Sequence, residues 1–403
     1  MSNTLKFIDM VAREALSVAH EKAQFIATTD RQYDSSYAKS GAKIGSVLRV
    51  RSPNKYTVRE GSRVMDVQDQ NEATQTITLG TQSGVDMRFN SAELTLDTDS
   101  PAEVAAFTKR YIEPAASVLI STIEANYLEY ATKATYNHVG TDNTAITTLD
   151  APGKARARLN QNLAPKSDRY IQMDSVTMAG LVNGVAAYFN PSNAISEQYR
   201  EGLVARTSMA DYYENERVWT MPNSTDIAFA LDTYTVTEGD TSLTVTSWAT
   251  PNEGMVFTIA GVYDVHPETK ATLPQLKQFT VLSGSTATNL LISPAIYSSV
   301  SGALQNVSGL PTTTAVGTCF GTLSKNYVTP LMYHKEAFQF VTADLPLMDD
   351  AHKCARRTQD GLSMRVWMAS DIRNDELLMR LDILHGFAAL RPEWACRMMG
   401  AQS

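Results

Sequence analysis

Cysteine is scarce in this chain of 403 residues, with three in all, Cys319, Cys354 and Cys396. They are widely spaced, form no CxxC or zinc pattern and are odd in number, which fits free thiols in a reducing compartment and excludes a disulfide-stapled secreted scaffold. Long apolar runs are missing too. None approaches the ~18 residues of a spanning helix, and the apolar start is broken by Lys6, Asp9, Arg13 and Glu14, so neither a membrane span nor a signal peptide is expected. No G-x-S-x-G elbow, P-loop, GxGxxG, H-E-x-x-H or metal-spaced Cys/His cluster occurs. With those motifs go the usual routes to a nucleophile, a bound dinucleotide or a catalytic zinc. No catalytic residue, cofactor or metal is therefore expected. An excess of basic charge is also lacking: 35 Lys and Arg against 43 Asp and Glu give −8, unlike a dedicated nucleic-acid binder.

One crowded stretch tests that negative reading. Asp349, Asp350, His352 and Cys354 lie within six positions, and a hydrolase site is one way to read them. Neighbours in sequence diverge in helix or strand, however, and a nucleophile and its base normally come from separate segments, so a charged loop is expected. The histidines His20, His138, His266, His334 and His385 are isolated and expected to be surface or satisfied core residues. Lys154, Arg156 and Arg158 form a basic run without interleaved aromatics, which is expected to be a solvated face.

What is present is 43% hydrophobic residues, enough for real cores, and a length that suggests two or three domains. Charge is unevenly spread. Residues 1–63 carry +5 and residues 64–150 carry −9, so a basic arm followed by an acidic region could pair copies of the chain. Residues 4–29 repeat Leu5, Ile8, Ala12, Ala15, Ala19, Ala23 and Ile26 at helical spacing. The half-alanine stripe suits close docking on a neighbour, or packing on its own domain. Residues 44–80 alternate as strands do, and a turn at Pro53-Asn54 with a return through residues 56–59 predicts a hairpin standing out from the body. Arg49, Arg51, Lys55, Arg59 and Arg63 stand along it, and only Glu60 is a local counter-charge. Residues 75–79 and 85–89 read as another strand pair.

Ser100, Pro101 and Glu103 form a capping box that opens a long amphipathic helix to about residue 137. At 1.5 Å per residue it would span about 55 Å, with a kink or division at Pro114. Residues 151–222 read as an α/β region with an apolar helix over 176–188. Composition then changes: of the 100 residues 226–325, 28 are Ser or Thr and 10 are charged, with short alternating runs that predict a small all-β barrel or sandwich. After about residue 326 the earlier character returns, so the β region is expected to be inserted.

This order of parts resembles the Hong Kong 97-type fold of tailed-bacteriophage major capsid proteins, and in particular the podovirus coat proteins with an inserted β-barrel domain. The likeness is carried by Tyr199-Arg200-Glu201-Gly202, Ala210-Asp211-Tyr212-Tyr213-Glu214, the run from Gly254 to Gly261, Phe279 to Gly284, and Gly386 to Glu393. It implies an α+β chain divided into an N-terminal arm (1–43), an extended hairpin loop (44–80), a peripheral domain with a spine helix (81–150), an apical domain (151–225), an inserted barrel (226–325), and the second apical part with the return to the peripheral domain (326–403). It implies a non-catalytic subunit that self-assembles as hexamers and pentamers of an icosahedral shell in the host bacterial cytoplasm. A separate scaffolding protein and a portal are implied as partners, and double-stranded DNA is enclosed without sequence-specific binding. The basic hairpin residues become the subunit-interface candidates. The competing expectation is a carbohydrate- or receptor-binding tail protein acting through the Ser/Thr-rich region.

Overall fold

Alternation and helical spacing both reach the fold, with boundaries set by which partner each segment finds. The computed structural model describes residues 7–34, 47–51, 53–59, 61, 65, 67, 74–90, 108–141, 144–185, 210–232, 235–246, 248–249, 251–348, 353–359 and 361–400. It is an α+β chain of two packed units. One is Met1–Val50, Thr74–Tyr127 and Phe338–Ala388; the other is Arg51–Ala73, Leu128–Ala337 and Ala389–Ser403.

In the first unit, helix Phe7–Lys22 is followed after Ala23 by the short helix Gln24–Thr28. Val11, Ala12, Ala15, Leu16 and Ala19 are buried, and the helix packs on strands Lys353–Gln359 and Leu362–Asp371. Small side chains let helix and sheet backbones approach closely. The alanine stripe is thus covered by the chain's own sheet and does not wait for a neighbour. That sheet has the order Asp30–Asp34, Phe338–Ala343, Glu376–Ala389, Leu362–Asp371, Lys353–Gln359, and Thr81–Asn90 also pairs with Glu376–Ala389. Asp30–Asp34 runs parallel to Phe338–Ala343. Strands Phe338–Ala343 and Glu376–Ala389 therefore pair with segments near the start of the chain.

Two hairpin expectations are corrected. Thr74–Thr78 and Thr81–Asn90 do not fold on each other, because a two-residue hairpin turn needs φ > 0 and Gly80 is not among the residues with positive φ. Thr74–Thr78 instead returns to Val47–Arg51. With that partner taken, residues 53–59 form no strand, and Pro53 lacks a ladder donor. The strand that pairs with Val47–Arg51 therefore lies further along the chain than predicted.

Among the described residues the long helix runs as a π-helical turn, Thr108–Ile112, and continues as α-helix Glu113–Ala134. Pro114 sits just after the change. Its ring cannot donate to the carbonyl of Arg110, and the wider π turn accommodates that lost bond. The capping box at residues 100–103 lies outside the described residues. Within the first unit Tyr127 is fully buried, with ring centroids 4.7 Å from Phe25, 5.5 Å from Phe340 and 5.3 Å from Phe387.

The second unit contains a five-stranded sheet in the order His138–Val139, Ala395–Met398, Leu331–His334, Arg169–Met173, Asp211–Glu214. Helices Asp150–Gln161 and Ser175–Val185 cover it, burying Ala155, Leu159, Leu181, Ile171, Met332 and Cys396 together. A separate six-stranded sheet takes the order Ser242–Thr244, Asn289–Ser293, Thr272–Val281, Val256–Val265, Val316–Cys319, Ala228–Ala230. Its two ends meet. Leu231 bridges Val245, and backbone bonds Asp232 N to Thr244 O (3.0 Å) and Thr246 N to Ala230 O (3.0 Å) close the sheet on itself. Inside stand Trp248, Phe229, Phe257 and Phe279. The segments on either side of this closed sheet, Thr220–Pro222 and Asn326–Val328, lie antiparallel with Met221 opposite Tyr327.

Candidate functional site

The basic candidates are spread along one excursion of the chain. Arg49 lies in strand Val47–Arg51, Arg51 ends that strand exposed, and Lys55 and Arg59 are exposed in residues 53–59. Arg63 lies outside the described residues. What the charge pattern missed is apolar: Tyr56, Val58, Met65 and Val67 are 59, 87, 79 and 76% exposed. Large side chains at that exposure, interleaved with cations, make a surface that gains free energy when covered. The loop also does not stand clear of the chain. Glu393 has its carboxyl pKa raised by burial, and Lys55, with Arg391 and Lys277, acts in the opposite sense. A half-buried carboxylate within electrostatic reach is a counter-charge that sequence distance concealed.

A second cluster joins the five-stranded sheet to the closed one, and no motif announced it. Gln278 grips the backbone of His138 twice, accepting from its N–H at 2.8 Å and donating to its carbonyl at 2.9 Å. The His138 ring packs on Phe320, with centroids 4.7 Å apart. His138 is not the satisfied core residue expected: neither ring nitrogen has a hydrogen-bond partner. Burial pushes its pKa down to about 3, with the charges of Arg397 and Arg158 adding to that. Arg397 is fully buried and donates to Thr280 Oγ1 at 3.2 Å; burial lowers its pKa to about 9. Thr280 in turn donates to the carbonyl of Lys133 at 3.0 Å.

Beside this lies a charged triad. Asp264 faces Lys277 at 2.9 Å and Arg158 at 3.6 Å, all with side chains at most 13% exposed. Arg158 therefore leaves the solvated face predicted for its run, because a buried carboxylate on the closed sheet repays part of its desolvation. Lys154 stays out in water, paired with Asp150 at 2.6 Å. A run of cations at i, i+2, i+4 looked uniform in sequence, and only the facing strand distinguishes its members.

Among the described residues, no cluster of catalytic side chains is brought together. Among the described residues no group of three or more His, Cys, Asp and Glu could hold a metal ion. Asp349, Asp350 and His352 lie outside the described residues, while Cys354 is the second residue of strand Lys353–Gln359. Cys319 and Cys396 are buried, and burial raises both thiol pKa values, that of Cys396 to about 12. Among the described residues no helix is long and apolar enough to cross a membrane.

Comparison with known proteins finds one family model similar to part of the chain. Residues 218–401 match the family described as "P22 coat protein - gene protein 5". No curated protein sequence matches the chain. Solved structures similar to it include one titled "Mycobacterium phage Che8" (10% identity, TM-score 0.44, covering 91% of this chain and 88% of that one). Another is the capsid of Cyanophage P-SCSP1u (12% identity, TM-score 0.45, 93% and 87%). A third is the CUS-3 coat protein I-domain (25% identity, TM-score 0.19, 24% and 98%). Over residues 218–401 the chain is therefore similar to the P22 coat protein family, alongside the α+β order of elements described above.

Proposed function

We propose that this chain is a tailed-phage coat protein that closes its shell by laying the basic, apolar loop of residues 51–67 on a second copy of the same chain. The observation that carries this reading is the exposure of Tyr56, Val58, Met65 and Val67 on the same stretch as the exposed Arg51, Lys55 and Arg59. A second copy supplies the complementary charge, since residues 64–150 carry −9 against +5 for residues 1–63. Hexamers and pentamers built this way form an icosahedral shell around double-stranded DNA, with a scaffolding protein and a portal as assembly partners in the host bacterial cytoplasm. The subunit is structural and performs no catalysis. Each exposed ion pair contributes about 0.2–1 kcal/mol, and closed symmetry multiplies the contribution.

Residues 226–325 are in this reading a domain inserted into the apical part. What supports it is a core of its own and the side-by-side pairing of its entry and exit strands, which lets a domain be added without disturbing its host. The test is to replace Arg51, Lys55, Arg59 and Arg63 together by Ala. Circular dichroism is expected to stay unchanged while particles disappear from negative-stain micrographs and sedimentation profiles. Normal shells from that variant remove the loop from the account.

A further inference from the structure

A cavity of about 530 Å³ opens in the second unit between helix Asp150–Gln161 and the strands Val256–Val265 and Thr272–Val281. That volume is within the ~300–1,000 Å³ of small-molecule sites. Its two walls differ in chemistry. The helix contributes Lys154 and Arg158, one turn apart on the same face, and no carboxylate side chain is among the lining residues. Their partners approach from outside the lining. Arg158 is 3.6 Å from Asp264, a long contact, and the Lys154 pair with Asp150 is mostly solvent-exposed. A guanidinium has five N–H donors and an ammonium three, so both cations keep donors for a guest.

The opposite wall is apolar and amide-bearing. Phe320 and Leu276 line it. Gln275 donates to Gln161 Oε1 at 2.7 Å, which leaves the Gln275 carbonyl oxygen and the Gln161 amide hydrogens to recognise a flat polar edge. His138 in the same wall is 2% exposed with both ring nitrogens lacking a partner, an unmet polar demand beside the cavity.

We propose that this cavity binds an organic phosphate of mononucleotide size. The phosphate sits at Lys154 and Arg158, and the flat body lies against Phe320 and Leu276, within reach of the two glutamine amides. A bare inorganic ion would leave the apolar wall and most of the volume unfilled, and a neutral body would leave the cations without an anion. The inference stands on this cavity alone and is independent of how copies of the chain assemble.

The test is isothermal titration calorimetry on the full-length protein with adenosine 5′-monophosphate, adenosine, and inorganic phosphate. Saturable binding of the monophosphate is expected, with adenosine and inorganic phosphate each weaker by at least about tenfold, the loss of one good polar or stacking contact. Ala157→Phe, at an exposed helical position on the cavity wall, and Lys154→Glu are each expected to weaken the monophosphate at least about tenfold without changing the thermal midpoint of the unliganded protein. A 5′-phosphorylated oligonucleotide that competes with the monophosphate identifies a DNA end as the source of the group; one that does not compete identifies a free nucleotide. No saturable heat with the wild-type protein, equal binding by inorganic phosphate, or binding indifferent to both substitutions overturns the proposal.

Discussion

His138 gives the second unit a large acid sensitivity through a single ring. An unfolded imidazole takes up a proton near pH 6.5, whereas the buried ring does so only near 3. The unfolded chain therefore binds the extra proton between those values. Stability is fully present above about pH 6.5 and falls as the pH drops toward 3, by about 2 kcal/mol at pH 5 from this residue. His385, lowered to about 4 by burial, acts in the same direction. Urea midpoints measured near pH 7.5 and pH 5 should fall for the wild type, and His138→Leu should flatten part of that fall. A slope unchanged by the substitution would exclude His138 as its source. None of this was legible in the sequence, where His138 and the surface-type histidines have the same appearance. Its burial depends on Gln278, 140 positions away, and Arg158 differs from Lys154 only through Asp264 on a facing strand.

Single contacts also decide how elements dock. In the first unit the wholly buried Glu124 of the long helix accepts a hydrogen bond from the Phe25 N–H at 2.5 Å, at the start of the short helix Gln24–Thr28. A charged acceptor at such an N–H contributes about 1.5–3 kcal/mol. Glu124→Gln keeps an acceptor and should cost the smaller part. Glu124→Ala should cost about the full amount and speed proteolysis within residues 7–28, and equal protease sensitivity of the two variants would refute the docking role. In the closed sheet, a Cβ on Gly317 would come 2.2 Å from Phe229, whose ring stacks on Trp248 at 4.9 Å. Gly317→Ala should destabilise by about 1–3 kcal/mol through forced displacement of that pair, seen as a lower thermal midpoint. Periodicity located the elements well wherever a stripe met a sheet, as in Phe7–Lys22 and Glu113–Ala134. It misassigned partners where several strands share one pattern: residues 56–59 alternate as convincingly as Thr74–Thr78, and only the second finds an edge.

For the whole molecule, the candidate surface was half readable. The cations stand out in the sequence, while the exposure of the apolar residues among them emerged only once residues 53–59 were found outside any strand. The two halves should respond differently to solvent. Charge contacts fade as the screening length falls below about 10 Å above 0.1 M salt, whereas apolar burial does not. Val58→Ser with Met65→Ser, at side chains 87% and 79% exposed, should leave the thermal midpoint of the subunit unchanged. It should raise the protein concentration needed for assembly by about tenfold or more at every salt level, judged by light scattering. An unchanged assembly threshold would show that the apolar residues stay in water.

The strand pairing also sets a timetable for synthesis. Asp30–Asp34 waits for Phe338–Ala343, and Thr81–Asn90 waits for Glu376–Ala389. At roughly 5–20 residues per second on the ribosome, the first of these waits lasts about 15–60 s. For that time the nascent chain carries open strand edges that could pair with those of other nascent chains on the same messenger. A cell making this protein in quantity must keep those early edges apart, and the rate of translation becomes a determinant of how much of the product is sound.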